Sequence, residues 1–165
     1  FAAESGIPLG SGFTKNRYIG RSFIFPTQTQ RDNAVRLKLN PLKANIRGKR
    51  LVVVDDSIVR GTTSARTVKM LRDAGASEIH MRISAPPFKH SCHFGTDIDD
   101  EEKLIANKMS VEEIAKFIGA DSLGYISIEG VKHACSGCSL GLCTGCFDGN
   151  YPMHIGHHKK AEFEC

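Results

Sequence analysis

The chain has no apolar stretch approaching the ~18 residues that cross a bilayer, and no basic-then-apolar leader opens it. A soluble, cytoplasmic protein with no membrane partner is therefore expected. Acids are scarce in one window: from Lys15 to Arg50 ten Lys or Arg stand against a single acid, Asp32, although the net charge of the whole chain is only +4. That clustering predicts a partner carrying phosphates. Stacking aromatics are thin in the same window, limited to Tyr18, Phe23 and Phe25, which argues against a nucleic-acid surface and for a small polyanion. A Walker phosphate loop is missing, because Gly48-Lys49 is followed by Arg50, and Gly10-Ser11-Gly12 lacks the third glycine of a dinucleotide fingerprint. Internal repeats and low-complexity stretches are absent too. The chain begins with Phe1, and Phe1 to Pro8 reads as the last turn of a helix closed by Gly6, so a fragment of a longer protein is expected.

At 165 residues the chain has the size of one domain with a real core. Apolar spacing predicts a helix over Thr63–Ala74 ended by Gly75, and alternation of Ile79, Met81 and Ile83 with charged neighbours predicts a strand over Glu78–Ser84. Pro86-Pro87 breaks the pattern. Asp97–Asn107 offers capping acids ahead of Leu104-Ile105-Ala106. Ser110-Val-Glu-Glu113 is a capping box opening a helix through Ile114, Phe117 and Ile118 to Gly119, and a strand follows over Leu123–Ile128. Alternating strands and helices of this length predict an α/β fold with a mostly parallel sheet flanked by helices. Past Gly130 the composition shifts to Cys, Gly and His, predicting a metal-bound or loosely structured C-terminal segment.

The most informative run is Leu51-Val-Val-Val-Asp-Asp-Ser-Ile-Val-Arg-Gly-Thr-Thr-Ser64. Four aliphatic residues suit a strand buried on both faces, and parallel sheets place ligands beyond the carboxyl ends of their strands, where Asp55 and Asp56 fall. The segment after them can turn backbone N–H groups and the Thr62 and Thr63 hydroxyls toward a phosphate at the mouth of the following helix. Gly61 permits close approach. A buried strand followed by Asp-Asp and a capping Ser or Thr also describes an ordinary βα connection; the complete run is more specific than that.

The run resembles the phosphoribosyl pyrophosphate (PRPP) motif of the type I phosphoribosyltransferases, and the variant Val-Asp-Asp-Ser-Ile-Val-Arg-Gly-Thr-Thr is similar to that of the glutamine PRPP amidotransferases. The resemblance implies that Asp55 and Asp56 hold the ribose hydroxyls, directly or through Mg²⁺, while Ser57, Ile58, Val59, Arg60, Gly61, Thr62 and Thr63 cradle the 5′-phosphate. Lys15 to Arg21 resembles the start of the family's mobile loop, with Lys15, Tyr18 and Arg21 facing the pyrophosphate or sealing the cavity. Further implications are PRPP and ammonia from glutamine as reactants, a separate N-terminal glutaminase domain outside this sequence, a homo-oligomer, and no glutamine-dependent activity in this fragment alone. Residues 1–130 then form a partial phosphoribosyltransferase domain and residues 131–165 a Cys-rich metal-binding segment. Another type I phosphoribosyltransferase, or a non-catalytic metal-binding regulator with the same fold, is the alternative.

Of six cysteines, Cys135, Cys138, Cys143 and Cys146 form Cys-x-x-Cys-x4-Cys-x-x-Cys, interspersed with small residues. In a cytosolic protein this spacing favours a metal over disulfides, and spacing alone admits zinc or an iron-sulfur cluster. The iron-sulfur branch of the family implies a [4Fe-4S] cluster on Cys92, after Pro86-Pro87, and on Cys143 and Cys146, ahead of Phe147-Asp-Gly-Asn-Tyr151-Pro152, with a fourth ligand upstream of Phe1. Cys135 and Cys138 are an extra pair, compatible with a substitute ligand, a separate zinc site or free thiols. Cys165 is expected unligated, and His154, His157 and His158 idle.

Overall fold

The computed structural model describes residues 1–15, 39–96, 98, 101–137, 139 and 141–154. They fall into two compact units, Phe1–Leu51 with Lys69–Ile79 and Val52–Val68 with His80–Cys165.

In the first unit a short helix α1 (Ala2–Ser5) ends at Gly6 with φ 69, the left-handed closure its sequence predicts. Strand β1 (Phe13–Lys15) pairs antiparallel with β2 (Leu39–Pro41), Thr14 opposite Asn40. Helix α2 (Lys43–Ile46) follows, and Asn45 Nδ2 ties it back to the Ser11 carbonyl at 2.9 Å. Among its described residues the buried apolar side chains are Ile46, Leu71, Ala74, Ala76 and Ile79.

Strand β3 (Arg50–Asp55), helix α3 (Thr62–Asp73) and strand β4 (Glu78–Ile83) run between the units, while helix α4 (Val111–Ile118) and strand β5 (Ser122–Tyr125) lie wholly in the second. The strands form a three-stranded parallel sheet in the order β3-β4-β5, with His80 opposite Ser122 and Ile83 opposite Tyr125. Central β4 shows the expected alternation, with Ile79, Met81 and Ile83 buried. The two-sided burial expected of β3 does not hold: Val54 is 52% exposed. The reason is position, since β3 is one of the two edge strands among the described residues and has a neighbour on one side only.

Helix α4 carries the predicted capping box, Ser110 Oγ accepting the Glu113 N–H at 3.3 Å and the Glu113 carboxylate accepting the Ser110 N–H at 2.8 Å, and it closes at Gly119 with φ 79. Two other expectations are corrected. The segment around Leu104 forms two 3-10 turns, Glu101–Lys103 and Ile105–Asn107, with Leu104 in extended conformation between them and both Leu104 and Ile105 buried. The last strand stops at Tyr125, since Ser127 accepts the Gly130 N–H at 2.9 Å and caps helix α5 (Ile128–Ala134). Regular structure thus continues past Gly130, and a final short helix α6 spans Gly145–Asp148.

Candidate functional site

Asp55 ends β3, so its carboxylate stands at the carboxyl end of the parallel sheet, the ligand-facing end in folds of this kind. Ser84, just past β4, grips the Asp55 carbonyl with both its N–H and its hydroxyl at 3.0 Å. The two acids then turn back on their own backbone. Asp55 Oδ1 accepts the Asp56 N–H at 3.0 Å; Asp56 Oδ1 accepts the Ser57 N–H at 2.6 Å and its hydroxyl at 3.4 Å. One oxygen of each carboxylate therefore sets the turn, and the other takes no part in these bonds. Burial raises the pKa of Asp55; the bond from the Asp56 N–H opposes the rise and the neighbouring Asp56 charge adds to it. Adjacent carboxylates suit hydroxyl donors or a cation as ligands.

The next residues divide their labour. Ile58 is buried, and Val59 packs against the cluster of Phe88, Ile98 and Leu104. Their side chains anchor the turn, so only their backbone is available to a ligand. Arg60 is exposed. Gly61 has φ 77, the left-handed region, and its carbonyl accepts the Ala65 N–H at 2.9 Å, the first bond of α3. Thr62 and Thr63 are exposed in the first helical turn, where backbone N–H groups lack acceptors within the helix, and Ser64 is buried behind them. An anion fits that mouth on charge and hydrogen bonding alike. Lys15 ends β1 in the first unit, its backbone opposite Leu39. Tyr18 and Arg21 lie outside the described residues.

A second constellation gathers the predicted cysteines. Cys92 and Cys146 both pack against the Phe88, Ile98 and Leu104 cluster. Burial pushes the Cys92 thiol up, but the N–H groups of Phe94, Thr96 and Gly95 around its sulfur outweigh that and hold its pKa at about 7; the Thr96 N–H stands 3.3 Å from Sγ. Cys146 is pushed up to about 11 by burial and by the charges of Cys92, Cys143 and Asp148. Cys92 and Cys143 thus both lie in electrostatic reach of Cys146, with a nest of N–H groups around the Cys92 sulfur, and this donor chemistry fits a thiophilic metal. Even so, no group of three or more His, Cys, Asp or Glu among the described residues is assembled as a metal site. Cys135 is partly exposed; Cys138, Cys165, His157 and His158 lie outside the described residues.

Long-range bonds hold this constellation. The Cys146 carbonyl accepts the N–H groups of Lys89 and His90 at 3.0 and 3.1 Å, and Tyr151 donates its hydroxyl to the Ser91 carbonyl at 2.6 Å. The rings of Phe88 and Phe147 meet at 5.0 Å. Thr144 Oγ1 donates to Asp148 across α6 at 2.9 Å, and a Cβ on Gly145 would run into the Tyr151 ring. An open groove of about 810 Å³ lies alongside, lined among others by His90, His93, Glu101, Tyr151 and His154.

Sequence reasoning did not single out Ser84, which holds the Asp55 carbonyl, or Ile105 and Phe117, which enclose Gly61. None carries a local signal, since each acts through a contact distant in sequence.

A parallel sheet whose edge strand ends in twin acids, followed by a left-handed Gly and a Thr-Thr helix mouth, is the α/β architecture of a type I phosphoribosyltransferase. No family model matches the chain. The amidophosphoribosyltransferase of Methanothermobacter thermautotrophicus is 54% identical over 156 residues, covering 94% of this chain and 33% of that protein. The one from Synechococcus elongatus is 52% identical over 160 residues, 97% of this chain and 32% of the relative. The solved structure of the glutamine PRPP amidotransferase from B. subtilis, complexed with ADP and GMP, superposes with a TM-score of 0.81 at 48% identity, covering 96% of this chain and 36% of that one. The chain is thus a relative of the amidophosphoribosyltransferases, and it spans about a third of the length of those it matches.

Proposed function

We propose that the chain is the PRPP-binding part of a glutamine-dependent amidophosphoribosyltransferase, the enzyme that makes 5-phosphoribosylamine, pyrophosphate and glutamate from PRPP and glutamine in the first step of purine synthesis de novo. In this reading glutamine is hydrolysed in a glutaminase domain outside the chain, and ammonia attacks the anomeric carbon of PRPP as pyrophosphate leaves. The reacting carbon gains oxocarbenium character, and the carboxylates of Asp55 and Asp56 beside the ribose favour that charge while orienting the hydroxyls. Ser57 to Thr63 take the 5′-phosphate, through the backbone N–H groups of Ile58 to Gly61 and through Thr62 and Thr63 at the mouth of α3; the Ser57 N–H stays on Asp56. Lys15, at the end of β1, and Tyr18 and Arg21 after it are assigned to the pyrophosphate by their resemblance to the family's loop sequence. No general base is required if ammonia arrives neutral. Asp55 and Asp56 also have the oxygen chemistry to hold Mg²⁺, which when bound offsets the charge of the leaving pyrophosphate.

Residues 131–165, together with Cys92, are assigned to metal binding. Cys92, Cys143 and Cys146 would hold a [4Fe-4S] cluster as a structural staple, zinc being the alternative for the same thiolates; transfer of a phosphoribosyl group moves no electrons. A homo-oligomer working in the cytoplasm completes the reading.

The observation that carries it is the placement of Asp55 and Asp56 at the end of β3 directly before the Gly61 turn. The test is release of pyrophosphate from PRPP by the complete protein, supplied with glutamine or with ammonia. Release with both is expected; release with neither overturns the reading.

A further inference from the structure

Gly61 is enclosed from two sides. A Cβ at this position would stand 2.8 Å from Ile105 Cδ1 and 3.1 and 3.3 Å from Cε1 and Cδ1 of Phe117. Ile105, 5% exposed, also pins the turn through its backbone, donating its N–H to the Val59 carbonyl at 3.0 Å. The turn that carries Ile105 is itself secured, because Asn107 Nδ2 donates to the carbonyls of Lys89 and Glu101 at 2.8 and 3.2 Å. Phe117 sits on α4 at a position where the apolar spacing predicts a core residue, yet it is 49% exposed. Its ring edge closes on Gly61.

A left-handed glycine is otherwise free to sample many conformations, and each would aim the N–H groups at the mouth of α3 differently. Walls on both sides remove that freedom before any ligand arrives. We propose that Ile105 and Phe117 are positioning residues that clamp Gly61 and so preset the turn for the 5′-phosphate of PRPP. Neither side chain is required to touch the substrate. The inference rests on the phosphate-binding reading of the Asp55–Thr63 turn.

The test uses the complete protein with Phe117→Ala, Phe117→Tyr, Ile105→Val and the double substitution Asp55→Asn with Asp56→Asn. Phe117 is half exposed, so its truncation costs folding little, whereas Ile105→Val deletes only the methyl that closes on Gly61. Phe117→Ala and Ile105→Val are expected to raise KM for PRPP about three- to tenfold with kcat within about twofold, and Phe117→Tyr, which keeps the ring, to restore KM. A merely structural role would lower Tm and the active fraction and leave KM alone. An unchanged KM in Phe117→Ala and Ile105→Val, while the Asp double variant is crippled, overturns the clamp and spares the phosphoribosyl reading. Normal turnover by the Asp double variant overturns both.

Discussion

The acid turn and the cysteine constellation belong to the same unit but are built in opposite ways. From Asp55 to Thr63 the bonds that shape the turn come mostly from neighbouring residues, with Ser84, Ile105 and Phe117 as outside supports: each carboxylate accepts the N–H of the next residue, Gly61 supplies the left-handed step, and α3 starts immediately after it. Around Cys92 and Cys146 the order comes from residues far apart in the chain, with Lys89 and His90 bonded to the Cys146 carbonyl and Tyr151 to Ser91 sixty residues away. The carboxylate-to-backbone bonds of the acid turn survive the loss of a distant contact, and only the aim of its Gly61 step depends on Ile105 and Phe117; a stapled segment loses its form altogether. Changes near Asp55 should therefore register in PRPP chemistry with little loss of fold, and changes near Cys146 in stability and metal content.

The largest effect is expected from Asp55→Asn with Asp56→Asn. Turnover of PRPP should fall by about a hundredfold or more, since groups that favour transition-state charge are commonly worth that much, while circular dichroism and Tm stay close to those of the parent. Steady-state kinetics beside a melting curve checks it. Gly61→Ala comes next: the methyl meets Ile105 at 2.8 Å on a backbone with φ 77. A stability loss of about 1–3 kcal/mol and at least a tenfold rise in KM for PRPP are expected, read from denaturant unfolding and kinetics.

On the cysteine side, Cys92→Ser and Cys146→Ser in protein purified without oxygen should lower bound metal to near zero and lower Tm. Iron, sulfide and zinc analysis reads the first part and also separates the two metals, because zinc without sulfide would exclude the cluster. The smallest effect belongs to Tyr151→Phe. Removing the 2.6 Å bond to Ser91 should cost about 1 kcal/mol and leave KM for PRPP unchanged. A shift of KM here as large as that from Gly61→Ala would erase the contrast between the two regions.

The same contrast explains what could be read in advance. The acid turn, the capping box on Ser110 and the left-handed closures at Gly6 and Gly119 were legible because their determinants lie within a few residues. Exposure of Val54 was not, since it depends on β3 being an edge strand, a property of sheet order. The stop at Tyr125 was missed because Ser127 caps a helix inside an apolar run that also reads as strand. Ile105 and Phe117 looked like plain core positions until tertiary contact brought them to Gly61. The cysteine motif names Cys143 and Cys146 but not Cys92, and the N–H groups that lower the Cys92 pKa come from a loop whose conformation the motif does not encode.

The most direct test of the account is calorimetric titration of the complete protein with PRPP, with and without Mg²⁺, beside the Asp55→Asn, Asp56→Asn variant. Magnesium-dependent binding in the parent that disappears in the variant is the predicted result. Equal heats in both proteins, or no heat in the parent with Mg²⁺ present, would contradict it.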